Sequence, residues 1–360
     1  MYIYFMAWLS ISCFIAFSVK ENISKNLSGF CALTGYFVYI LFAIFRKIDI
    51  GYGGTDAIAY YTFFMQASMP YMSYITSIHP EFGFSSILWI LHRITNNYVI
   101  VLWIFHSFTY VLLLKFIRYI RCSNIIAVML LNQVLFSQFN TLRMSICIAI
   151  ALYILILLDE SKFFNAIIWA LLAISIHKSA AILLPMILAN LYFRNKTITC
   201  MRFTMFVLIY STIAFVLYIM IVNYFSTTKY SVYFSGNNTY ALGSYLFIVV
   251  MIMFSVMKYQ RLTAHNRINR VILISMVTLP ICFMYNYHIS IFYRVMLILL
   301  QFAYALFAIE LKSFTLKSCS PLFLLFTLST MYMYSIIRIY RFFSTEVQYI
   351  GIPYVSTLFF

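Results

Sequence analysis

An arginine that opens a long apolar run is costly to keep, and this chain has one. Arg143 follows Asn140-Thr141-Leu142 and precedes an uncharged stretch that reaches Leu158. If the stretch is a helix, the guanidinium sits at its N-terminus, where the backbone dipole repels a cation. An anionic ligand would offset that repulsion; snorkelling to lipid headgroups would also relieve it. A guanidinium meets phosphate oxygens as a planar fork, so the chemistry on offer is recognition of a phosphate or pyrophosphate. Lys178, Arg294, Arg338 and Arg341 are further cations in or beside apolar runs. Arg338 and Arg341 read equally well as ordinary charges where a chain leaves a membrane.

Four other residues could move a proton. His177 stands with Lys178 where two short apolar halves meet. Its imidazole could act as a base or hold a phosphate, or simply mark a polar helix-turn-helix tip. His288 ends Tyr285-Asn286-Tyr287-His288 and lies about two helical turns before Arg294. Asp56 and Tyr60 form an i,i+4 pair if their segment is helical. Glu81 follows Pro80. Either carboxylate could be a general base or could hold a sugar hydroxyl, and either could be a solvated loop acid.

Such charges need elements to hold them, and composition says which kind. Of 360 residues, 64% are hydrophobic and 9% charged, with mean hydropathy +0.95. A soluble domain carries about 25% charged residues. This chain cannot cover a water-facing surface and needs lipid outside. Uncharged runs lacking strand alternation recur along its whole length, which argues for helices rather than a β-barrel. The expectation is an all-α polytopic bundle of about twelve transmembrane spans. They fall near 3–19, 28–45, 98–114, 123–140, 142–158, 163–176, 179–193, 203–223, 241–257, 271–287, 291–309 and 320–337. The first lacks a basic leader and a cleavage site, so it reads as a retained span. Residues 1–360 form one integral membrane domain. Residues 46–97 form an external loop with interfacial or re-entrant helices.

Most of the 24 lysines and arginines fall in the loops after alternate spans, such as Lys115 to Arg121 and Lys258 to Arg270. Basic loops stay cytoplasmic. Asp56, Glu81, Arg143, His177, Lys178, His288, Arg294, Arg338 and Arg341 then share the external side. Charges at span ends are functional candidates by default, and together these describe an arginine-rich external cavity.

The net charge of +16 fits basic cytoplasmic loops and an anionic lipid substrate, and does not call for nucleic acid. Seven scattered cysteines without a C-x-x-C pair indicate neither a zinc site nor a disulfide framework. No D-x-D, P-loop, H-E-x-x-H or G-x-S-x-G motif is present. No cofactor and no metal is called for. Glycine and proline, 9 and 6 in number, are sparse for a transporter of broken helices.

Six stretches, in order, carry a family resemblance: Thr55-Asp56-Ala57-Ile58-Ala59-Tyr60, Pro80-Glu81-Phe82-Gly83-Phe84, Asn140-Thr141-Leu142-Arg143, Ile174-Ser175-Ile176-His177-Lys178, Tyr293-Arg294 and Ile352-Pro353-Tyr354. The chain resembles the EpsG-like branch of the Wzy-type polysaccharide repeat-unit polymerases. The resemblance implies a GT-C-like glycosyltransferase of the bacterial cytoplasmic (inner) membrane. It would join undecaprenyl-pyrophosphate-linked oligosaccharides at the periplasmic or outer face, for O-antigen, capsule or exopolysaccharide. Arg143 and Arg294, then Lys178, would hold the pyrophosphate, with Arg338 and Arg341 as outlying candidates. Asp56, Glu81, His177 and His288 are the candidates for catalysis. The lipid-linked oligosaccharide and membrane lipid are the expected partners, and a chain-length regulator protein is a candidate one. A flippase or exporter, an O-antigen ligase and a membrane acyltransferase are the rival readings.

Overall fold

The computed structural model describes residues 2–46, 48, 56–77, 81–193, 267–276 and 291–312, with the single positions 205, 209, 333, 336 and 337. His288, Arg338 and Arg341 lie outside the described residues, as do nearly all of the expected spans 203–223, 241–257 and 320–337.

All elements among the described residues are helices: α1 (Tyr2–Ser18), α2 (Lys25–Ile44), α3 (Ala57–Gln66), α4 (Tyr71–Ser77), α5 (Phe82–Ile94), α6 (Tyr98–Ile120), α7 (Ile125–Ser137), α8 (Leu142–Asp159), α9 (Phe163–Ile176), a 3-10 turn (Lys178–Ile182), α10 (Leu183–Phe193), α11 (Arg267–Ser275) and α12 (Ile291–Lys312). Four stretches are long and apolar enough to cross a membrane: Lys25–Ile44, Tyr98–Ile120, Leu142–Asp159 and Arg294–Leu311. Shorter apolar helices accompany them. Small polar side chains set several starts. Ser24 accepts from the Leu27 N–H (3.3 Å), Asn97 from Val99 (2.9 Å) and Asn124 from Ala127 (3.1 Å).

The contacts divide into two compact units. The first is built from Met1–Tyr153 and Leu171–Lys178. Here α1 packs on α2 and α7, and α6 on α2 and α7. Aromatic rings fill the seams: Tyr39 stacks on Phe139 and Tyr110, with centroids 6.3 and 5.9 Å apart. Pairs of this kind add about 0.5–1.5 kcal/mol beyond area burial. A polar atom inside such a bundle must find its partner in the chain. The Tyr39 hydroxyl is shared among His106 Nδ1, Leu135 O and Gln138 Oε1, and Asn132 Nδ2 donates to Ser12 Oγ (3.1 Å). In the second unit, Asn190 Nδ2 donates to Ser275 Oγ (3.0 Å) and Asn269 Nδ2 to Glu310 Oε1 (3.0 Å).

Two local features depart from plain membrane spans. The stretch 46–97 shows no clean span in sequence, and it holds the short helices α3, α4 and α5. The apolar run 163–193 is interrupted: α9 ends at Ile176 and a 3-10 turn opens at Lys178.

Candidate functional site

Glu81 is the residue before the first turn of α5, with extended backbone (φ −60°, ψ 144°). That geometry leaves its side chain off the helix axis and able to reach elsewhere; it makes no capping bond to its own helix. It forms an ion pair with Arg143 Nη1, from the first turn of α8, through one carboxylate oxygen. The other oxygen accepts the backbone N–H of Lys178 at 3.3 Å. Three chain segments far apart in sequence therefore meet at one carboxylate: the start of α5, the start of α8 and the end of α9.

Close packing makes this meeting possible. Gly83 lies against Ser175 near the end of α9, and a Cβ there would overlap Ser175 Oγ and come within 2.8 Å of its carbonyl carbon. Any larger residue would push α5 and α9 apart. The start of α3 is tied in as well. Asn140, in the turn before α8, accepts the Asp56 N–H through Oδ1 (3.2 Å).

Aromatic walls enclose the arginine. The Arg143 guanidinium carbon lies 5.7 Å from the ring centroids of both Tyr60 and Phe84, within cation–π range. Those rings touch each other edge-to-face at 5.6 Å. Burial raises the Tyr60 phenol above its ordinary pKa; the Arg143 charge pulls it down and the Asp56 carboxylate adds to the rise. The side chains of Arg143 and Glu81 are 19% and 15% exposed, so the pair is largely but not wholly withdrawn from water. Arg143 Nε is buried and has no hydrogen-bond partner among the described residues.

Of the residues singled out in sequence, the structure brings together Glu81, Arg143 and the backbone of Lys178. The anion that Arg143 needs at a helix N-terminus is supplied within the chain, by Glu81. Glu81 is thus not a solvated loop acid. Asp56 is exposed at the start of α3, with its backbone joined to Asn140. His177 is buried, 5% exposed, and its N–H continues α9 by donating to Ala173 O (2.9 Å). The Lys178 side chain is exposed. Arg294 is exposed near the start of α12, in the second unit. Sequence reasoning missed three contributors: the Phe84 wall, Gly83 as the close-packing point, and the pairing of Glu81 with Arg143. The pattern Glu81-Phe82-Gly83-Phe84 holds all the relevant types, but nothing local says what they face.

The arrangement can hold an anion. One guanidinium nitrogen and a backbone N–H converge on one carboxylate, and phosphate oxygens accept from the same donors. The carboxylate itself can accept a proton once released.

The chain matches no curated protein and no solved structure. The model of the EpsG family matches residues 33–354, nearly the whole chain, including α3, α5, α8 and α9, which build the cluster. The match and the apolar helices agree: the chain belongs to the EpsG family and is a multi-pass helical membrane protein of the polysaccharide-polymerase type.

Proposed function

We propose that this protein polymerises undecaprenyl-pyrophosphate-linked oligosaccharide repeat units at the outer face of the bacterial cytoplasmic membrane, in making O-antigen, capsule or exopolysaccharide. It does so without a metal, as a GT-C-like glycosyltransferase of about twelve spans. The observation that carries this reading is the Glu81–Arg143–Lys178 cluster, a guanidinium and a backbone donor converging on an anion at helix ends. Family membership supports a polymerase rather than an exporter.

In this reading Glu81 marks the position that a phosphate takes. The pyrophosphate of the donor displaces the carboxylate, engages Arg143 and the Lys178 N–H, and leaves Glu81 free. The acceptor hydroxyl oxygen attacks the anomeric carbon of the donor's lipid-linked sugar. The bond from that carbon to the phosphate oxygen breaks, the lipid pyrophosphate leaves, and Glu81 takes the hydroxyl proton. Arg143 stabilises the charge that builds on the leaving group. Lys178 contributes positive charge near the anionic donor, while Asp56 orients acceptor hydroxyls.

Deletion of the gene tests this. Single repeat units should still reach the surface on the lipid carrier, and long polymer should be missing. Lipid-linked units that accumulate only on the cytoplasmic face would show an exporter instead.

A further inference from the structure

The first unit carries a cleft of about 680 Å³ that plays no part in the proposed transfer steps. It lies where the end of α2, one side of α3 and the start of α6 come together. Its volume is within the range of about 300–1,000 Å³ usual for small-molecule sites. Ile44, Met65 and Leu102 give it apolar walls, and Arg46, Tyr61, Asn96 and Tyr98 bring polar groups to it.

Two of those polar groups are held in fixed places. Arg46 is 5% exposed; its Nη2 donates to Phe139 O (3.2 Å) and its guanidinium lies 4.5 Å from the Phe139 ring centroid. Tyr98 is 8% exposed, with its ring against Tyr61 (5.3 Å) and Phe64 (5.4 Å). Yet the Tyr98 hydroxyl makes no hydrogen bond among the described residues. That oxygen is open to the cleft rather than sealed in the bundle, and as both donor and acceptor it can meet a ligand hydroxyl there. The Asn96 amide, exposed at the cleft, is likewise without a hydrogen bond among the described residues.

The chemistry of this lining is that of a neutral polyhydroxylated ring. An amide offers a donor and an acceptor side by side, which suits neighbouring sugar hydroxyls. Tyr61 presents a half-exposed aromatic ring beside Met65, an apolar surface for the C–H face of a sugar. Position points the same way. Tyr60 faces Arg143, while Tyr61, the next residue, lines the cleft. The two places are therefore separated by one helix, about 10 Å across.

We infer that this cleft binds a saccharide segment of the lipid-linked oligosaccharide, beside the pyrophosphate position at Arg143. The inference rests on the proposed polymerase function for its choice of sugar source. The test uses the full chain in detergent micelles. Its probe is the repeat-unit oligosaccharide of the host's own polysaccharide, freed of lipid and pyrophosphate by mild acid. The wild-type chain binds it, and Tyr98→Phe and Asn96→Ala each weaken binding roughly 3- to 10-fold, the effect of one hydrogen bond. Unchanged binding in both variants overturns the inference. So does a loss confined to co-purifying anionic phospholipid, which would make the cleft a lipid seat. Absent saccharide binding with polymerisation intact removes the cleft and spares the proposed function. Saccharide binding that both substitutions weaken, with no transfer of lipid-linked units, supports the cleft and removes the polymerase.

Discussion

At the scale of single residues, a carboxylate and an arginine hold each other where an anionic substrate is proposed to bind. Losing the fork of Arg143 removes a hydrogen bond to a charged group, about 1.5–3 kcal/mol. If that bond strengthens as the leaving group forms, Arg143→Ala slows transfer roughly 10- to 150-fold. Polymer length, normalised to protein abundance in the membrane, checks it; long polymer at normal abundance would return Arg143 to a snorkelling role. Arg143→Lys keeps the charge without the fork, and shorter chains are expected. Glu81→Gln separates two parts of the mechanism. The amide keeps the shape of the side chain but neither competes for Arg143 as an anion nor accepts a proton as a base. Sugar-free lipid pyrophosphate should bind this variant more tightly than wild type while transfer falls. Weaker binding together with slower transfer would mean that Glu81 only positions Arg143. The need of Arg143 for an anion was legible from its place at the head of an apolar run. Its partner was not, because the two residues are 62 positions apart and each run looks complete by itself.

At the scale of elements, the site depends on helix ends rather than on helix faces. Apolar runs announced α1, α2, α6, α7, α8 and α9 because a membrane helix is read from hydropathy alone. The helices α3, α4 and α5 are expected only as short interfacial or re-entrant helices somewhere in 46–97, without bounds. At 10, 7 and 13 residues they are too short to stand out by hydropathy. They nonetheless place Tyr60, Glu81 and Phe84. The close approach of α5 to α9 at Gly83 is the joint that lets Glu81 reach Lys178. Gly83→Ala should cost about 1–3 kcal/mol by overpacking. It should lower the thermal midpoint of the purified chain and slow transfer together. Ser175→Gly in the same chain removes the overlapping side-chain atoms and should restore part of both. A Gly83→Ala chain with unchanged midpoint and unchanged polymer would show that the helices part freely.

At the scale of the whole molecule, the proposed reaction needs the cluster on the outer side of the membrane. Basic loops set the expected orientation, and the exposed positions of the first unit allow a direct check. In a background lacking the native cysteines, Met72→Cys on α4 should react with an impermeant maleimide in intact cells. Lys20→Cys, exposed after α1, should react only once the membrane is opened. The reverse pattern would turn the chain over and place the cluster on the cytoplasmic face. The three-way junction at Glu81 also has a consequence for synthesis. Its acid and its last donor, the Lys178 N–H, are 97 residues apart. At about 5–20 residues per second, Glu81 emerges from the ribosome roughly 5–20 s before Lys178. Arg143 follows Glu81 by 62 residues, so for about the first two thirds of that interval α5 is already made while the acid beside it lacks both donors. Nascent chains arrested before α8 should therefore be the ones that quality-control proteases remove.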